Sequence, residues 1–87
     1  MKSIVDIIKD FCRDYELDFM SDYSGRCMYG RTCIGVVCTD VAKTLLMIAD
    51  AIRDEGYESA SEELGSPSSD NMGLARILYF PEVTCEH

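Results

Sequence analysis

From Tyr23 to Thr39 the chain carries no carboxylate, although sixteen Asp and Glu are spread over its 87 residues. Into that gap fall Tyr23, Arg26, Met28, Tyr29 and Arg31. Tyr and Arg are the residue types most enriched where protein partners bind tightly, and Met adapts its shape to a partner. The chemistry of the segment is therefore that of a docking loop, reaching a partner's groove or the nucleic acid bound there. A plainer reading is that Tyr23 and Tyr29 pack a hairpin while Arg26 and Arg31 pair with Asp18 and Asp22.

The acids themselves form two groups. Glu16, Asp18 and Asp22 alternate with Leu17, Phe19 and Tyr23, and on a strand side chains at i and i+2 recur about every 6.6–6.8 Å. Carboxylates at that spacing imitate a phosphate backbone. A second block, Asp50, Asp54, Glu55, Glu58, Glu62 and Glu63, is offset by Arg53 alone. Either group is also what an ordinary solvated face looks like.

Other chemistries find little to work with. The chain has no Gly-x-Ser-x-Gly elbow, no Gly-rich phosphate loop ending in Lys-Ser/Thr and no His-Glu-x-x-His. Its single histidine is His87, the last residue of the sequence, a poor place from which to hold catalytic geometry. The five cysteines, Cys12, Cys27, Cys33, Cys38 and Cys85, are odd in number, and no export signal is expected because Asp6 interrupts the apolar stretch a signal peptide needs. They read as free thiols in a reducing cytosol. Cys33 and Cys38 are spaced just outside the C-x₂₋₄-C window of zinc sites. No enzyme activity, no cofactor and no metal site are expected.

The elements that must position these residues follow from periodicity. Residues 3–13 read as an amphipathic helix capped by Ser3, with Ile4, Ile7, Ile8 and Phe11 on one face and Asp10 and Asp14 turned away. Alternation over 15–23 predicts a half-buried strand, and the β-branched run 32–38 predicts a second one. The two strands form a hairpin with a long connection bounded by Gly25 and Gly30. Thr39 or Asp40 caps a helix over about 40–55, on which Val41, Leu45, Ile48 and Ile52 follow helical spacing and Gly56 marks the end. Ser59 to Leu64 allows one further acidic turn stopped by Gly65, 66–71 is linker-like, and 74–80 is a last strand, in which Arg76 reads as an ion-pair partner.

The expected fold is α+β, a single small domain over 1–87 in the order α-β-β-α-β, with two helices packed on one face of a three-stranded, mostly antiparallel sheet. Of the residues, 47% are hydrophobic and 28% charged, a globular composition with no apolar run long enough to span a membrane. A net charge of −8 opposes direct binding to nucleic acid and to anionic membranes, and favours a basic protein partner.

Small, strongly acidic α+β chains of this length resemble phage-encoded anti-defence proteins, anti-CRISPR inhibitors among them. The segment Tyr23-Ser24-Gly25-Arg26-Cys27-Met28-Tyr29-Gly30 is similar to stretches in small phage and mobile-element proteins. Anti-CRISPR proteins share no common motif, so no residue role is carried over. The resemblance implies a mode of action, stoichiometric binding to the basic nucleic-acid channel of an effector nuclease, with carboxylates replacing phosphates. The chain is expected in the cytoplasm of a bacterial host, as a monomer or homodimer. On that expectation the partner-binding residues are Glu16, Asp18, Asp22, Tyr23, Arg26, Met28, Tyr29, Arg31, Asp54, Glu55 and Glu58. Two further readings are an RNA- or nucleotide-binding module using the Gly-Arg loop, and a thiol-based metal or redox protein.

Overall fold

A computed structural model describes residues 2–23 and 32–83. The elements run α1 (Ile4–Asp14), β1 (Asp18–Tyr23), β2 (Cys33–Cys38), α2 (Val41–Asp54), α3 (Ala60–Leu64), β3 (Ser68–Met72) and β4 (Ala75–Phe80). The strands form one antiparallel sheet in the order β1-β2-β4-β3. The α+β class is as expected, but the described residues form four strands rather than three, and a third, short helix joins the first two. No described helix is long and apolar enough to cross a membrane.

Caps fix the helix ends. Ser3 accepts the Asp6 amide at 3.2 Å and Asp40, not Thr39, accepts the Lys43 amide at 3.1 Å, each satisfying a donor the first helical turn leaves open. Both long helices close with the same pair of bonds. Leu17 N–H returns to the Cys12 carbonyl at 2.8 Å and Tyr57 N–H to Ile52 at 3.4 Å, while the amides of Glu16 and Gly56 bond Arg13 and Arg53. This closure needs a left-handed residue at its centre. Gly56 adopts φ 106° at no steric cost, as its position predicts, whereas at the end of α1 the role falls to Glu16, with φ 56°.

The core lies between the helices and one sheet face. Ile7, Ile8, Phe11 and Cys12 of α1, Ile48 and Ile52 of α2, and Ala60 and Leu64 of α3 meet Ile34, Val36 and Cys38 of β2 and Leu78 and Phe80 of β4. On the sheet's other face Gly35 sits opposite Tyr79 and Val37 opposite Ile77. A Cβ on Gly35 would stand 2.7 Å from Ile77 Cδ1, so the missing side chain is what lets Ile77 lie down there.

β3 is the main departure from expectation. Ser66-Pro67-Ser68-Ser69-Asp70-Asn71 has the composition of a linker, yet Ser68–Met72 pairs with β4 along its whole length. The two-residue turn Gly73-Leu74, with Gly73 at φ 64°, returns the chain at once and leaves β3 no alternative but to lie against β4. Arg76 has no ion pair among the described residues. It is exposed and donates to Asn71 Oδ1 at 2.8 Å and Ser69 Oγ at 2.9 Å on the neighbouring β3.

Candidate functional site

The strand row of carboxylates does not form. Glu16 lies in the turn that closes α1, outside β1, because that closure demands a left-handed residue there. β1 pairs Met20 with Gly35 but Tyr23 with Cys33, so one extra residue is inserted between them. Such a bulge interrupts the two-residue alternation. Phe19, opposite Val36, faces the helices, whereas Asp18, Met20 and Tyr23 share the other face. Tyr23 thus lands on the side opposite to the one its alternation with Phe19 predicts. Its phenol crosses the sheet to Asp70 on β3, and its ring stands 5.1 Å from that of Tyr79. Burial first, then the Asp70 carboxylate, push the Tyr23 hydroxyl up to about 12. Arg26, Met28, Tyr29 and Arg31 lie outside the described residues.

The helical acids assemble better than their sequence suggests. α1 and α2 run antiparallel, and between them lies a groove of about 330 Å3. Its floor is Ile7, Phe11, Met47 and Ala51, and its walls carry Asp10 and Asp14 from α1 and Asp50, Asp54 and Glu55 from α2. On each helix the lining positions fall at i, i+3, i+4, i+7 and i+8, the spacing that puts them on one face. Of the acids expected to bind a partner, Asp54 and Glu55 line this groove; Glu58, exposed between α2 and α3, does not. Asp10 and Asp14, expected to face away, do line it. The signal for them was present in the sequence: Asp-x-x-Arg-Asp occurs at 10–14 on α1 and recurs at 50–54 on α2.

Lys2 closes one end of the groove. Its ammonium lies 2.6 Å from Asp10 and 3.8 Å from Glu55, and its carbonyl accepts from the Tyr57 hydroxyl at 2.5 Å. The hydrogen bond from Lys2 lowers the Asp10 pKa and raises that of Lys2. Arg13 reaches Asp10 at 3.4 Å and Asp14 at 3.5 Å, and Arg53 reaches Asp50 at 3.1 Å. These are exposed pairs, which contribute little and yield readily to an incoming cation. Asp54 has no ion-pair partner among the described residues. Asp14 and Asp54 also close the last turns of their helices, where the helix dipole disfavours negative charge.

A second hollow, also of about 330 Å3, continues the first. The two share Phe11, Tyr15 and Met47, and the second extends to Asp40, Lys43 and Thr44 at the start of α2. On the far side of α2, Leu45, Leu46, Ala49, Leu64 and Pro67 line a hollow of about 260 Å3 that contains no carboxylate.

Cys12, Cys33 and Cys38 are buried in the interior, and Cys27 and Cys85 lie outside the described residues. Burial, reinforced by Cys38 and Asp18, pushes the Cys12 thiol up to about 11, away from the thiolate that redox or metal chemistry requires. Among the described residues no group of three or more Cys, His, Asp or Glu could hold a metal. No protein-family model matches the chain, and neither a curated protein nor a solved structure is detectably similar to it.

Proposed function

We propose that the protein is a non-enzymatic binding module that uses the acid-walled groove between α1 and α2 to engage a Lys/Arg-rich surface of a protein that handles nucleic acid. It acts as a stoichiometric inhibitor of the anti-CRISPR kind, in the cytoplasm of a bacterial host. One observation carries the reading: two helices distant in sequence each turn an Asp pair toward a common groove, and Asp14 and Asp54 do so in last turns, where the helix dipole disfavours negative charge. The net charge of −8 adds long-range attraction toward a basic partner and repels free nucleic acid.

The test is plasmid interference in bacteria carrying active CRISPR systems of several types, with and without the expressed chain. The reading expects plasmid survival to rise at least tenfold in one or more systems. It expects that rise to vanish in a chain carrying Asp50→Lys with Asp54→Lys, provided circular dichroism shows the variant folded. Survival at the background level in every system tested overturns the inhibitor. Protection that the folded double variant retains removes the groove from the interface.

A further inference from the structure

The shape of the groove says more than its charge. The two hollows form one trough along α2 from Asp40 to Glu55, a length of about 22 Å at 1.5 Å per residue. Phe11, Tyr15 and Met47 lie at its middle, where the hollows join. Tyr15 is 56% exposed, its ring 4.7 Å from that of Phe11. Asp14 adjoins Tyr15 at that middle; beyond it Asp50, Asp54 and Lys2 line the trough toward one end, Lys43 and Asp40 toward the other.

We infer that this trough receives an amphipathic, Lys/Arg-rich α-helix of the partner, about four turns long, with its apolar face on Phe11, Tyr15 and Met47 and its cations beside Asp14, Asp50 and Asp54. The inference rests on the proposed function and names the partner element that the groove takes.

A helix suits the trough for two physical reasons. Both walls of the first hollow are helices whose backbone groups are already bonded internally, and in the second the wall opposite α2 is Leu17, whose amide bonds Cys12, with Cys38 of β2, paired to β4, and Thr39. An extended peptide laid there would find few backbone partners and would leave its own donors unpaired when buried. A helix brings its hydrogen bonds with it. The spacing also agrees: acids four residues apart on a wall stand about 6 Å apart along its axis, and cations at i and i+4 on a docked helix recur at the same distance. The apolar middle then makes helix-in-groove packing selective, because charge alone would accept any basic chain.

Two fluorescently labelled 15-residue peptides of identical composition provide the probe. In one, Leu recurs at i, i+3, i+4 and i+7 among Lys and Arg; in the other, the same residues are shuffled so that no apolar face forms. Binding to the full-length protein is followed by anisotropy at about 0.15 M salt, and the contact surface by backbone amide NMR shifts. The amphipathic peptide is expected to bind one to one, at least tenfold more tightly than the shuffled one. Tyr15→Ala should reduce that advantage by at least fivefold, and Leu46→Gln on the other side of α2 should leave it unchanged.

Equal binding of the two peptides, lost in Asp50→Lys with Asp54→Lys, overturns the helical occupant and leaves the acidic reading standing. Shifts confined to the β1 or β3 edge also overturn it, in favour of strand addition. Binding of neither peptide overturns the inference and the acidic reading together.

Discussion

The phenol of Tyr23 on β1 donates a hydrogen bond of 2.5 Å to the carboxylate of Asp70 on β3. These are the two edge strands of the sheet. Their backbones are separated by three interstrand gaps, about 14 Å at the usual spacing. The side chain of Tyr23 therefore crosses the sheet face away from the helices, past Tyr79, and ties together two segments 47 residues apart in sequence.

Tyr23→Phe keeps the ring against Tyr79 and removes the donor to Asp70. A hydrogen bond to a charged acceptor of this kind contributes about 1.5–3 kcal/mol, read as a fall in Tm of roughly 8–16 °C for a domain of this size. Thermal unfolding followed by circular dichroism measures it. An unchanged Tm would show that the bond adds nothing to stability.

Stability should fall at alkaline pH. The Tyr23 hydroxyl is pushed up to about 12 from an ordinary 10.0, and the Cys12 thiol to about 11 from an ordinary 9.0. Both groups ionise more easily in the unfolded chain, so their contribution is complete below the unfolded values and is lost as pH rises through the folded ones. Urea midpoints should be level between pH 7 and 8.5 and decline from about pH 9 to 12, with Tyr23→Phe flattening the upper part of the decline. At the acid end the sign reverses. Asp10, lowered by its hydrogen bond from Lys2, contributes stability above its ordinary 3.8 that is lost as pH falls through the folded value.

Gly35→Ala should destabilise by about 1–3 kcal/mol, the usual cost of an extra methyl in a filled space. The added Cβ would meet Ile77 Cδ1 at 2.7 Å and Cγ1 at 3.0 Å, with Tyr23 Cβ at 3.5 Å. Ile77→Val removes Cδ1, so the double variant should recover part of the loss. A double-mutant cycle in urea that shows strict additivity would mean that Ile77 is not the obstacle.

Glu16→Gly is expected to stabilise. Glu16 holds φ 56°, a region in which L-residues are strained by about 1–2 kcal/mol and glycine is not. Glycine's greater freedom in the unfolded chain offsets part of the gain, leaving up to about 1 kcal/mol. Because Glu16 lies outside the trough, the same variant should bind the amphipathic peptide as the original chain does.

Asp54→Lys should move stability and binding in opposite directions. The substitution removes a like-charge neighbour four residues from Asp50 and places a cation in the last turn of α2, worth about 0.3–1 kcal/mol in favour of folding. Peptide affinity should fall by at least fivefold, and the salt dependence of binding should weaken. A variant that is both more stable and equally well bound would place Asp54 outside the interface.

What the sequence by itself determined about this protein is whatever rests on contacts between near neighbours in the chain. Ser3 and Asp40 cap helices because a short polar side chain reaches the next turn, and Gly56 ends α2 because glycine alone adopts φ 106° freely. The core rows Ile7, Ile8, Phe11 and Ile48, Ile52 follow from helical period, and the buried run 33–38 from its branched residues.

Only the tertiary structure decided the rest, because each remaining feature depends on residues far apart in sequence. Ser68–Met72 has no strand composition; it is a strand because the tight turn at Gly73 sets it along an open edge of β4. The bulge that turns Tyr23 away from the core arises from pairing with β2 and is held by Asp70, 47 residues on. Asp10 and Asp14 are ordinary polar-face residues of α1 until antiparallel packing brings Asp50 and Asp54 to the same groove. Charge was legible along the chain, but the surface on which it gathers was set by how two helices meet, since side chains 40 residues apart become neighbours only through burial of the apolar faces beneath them.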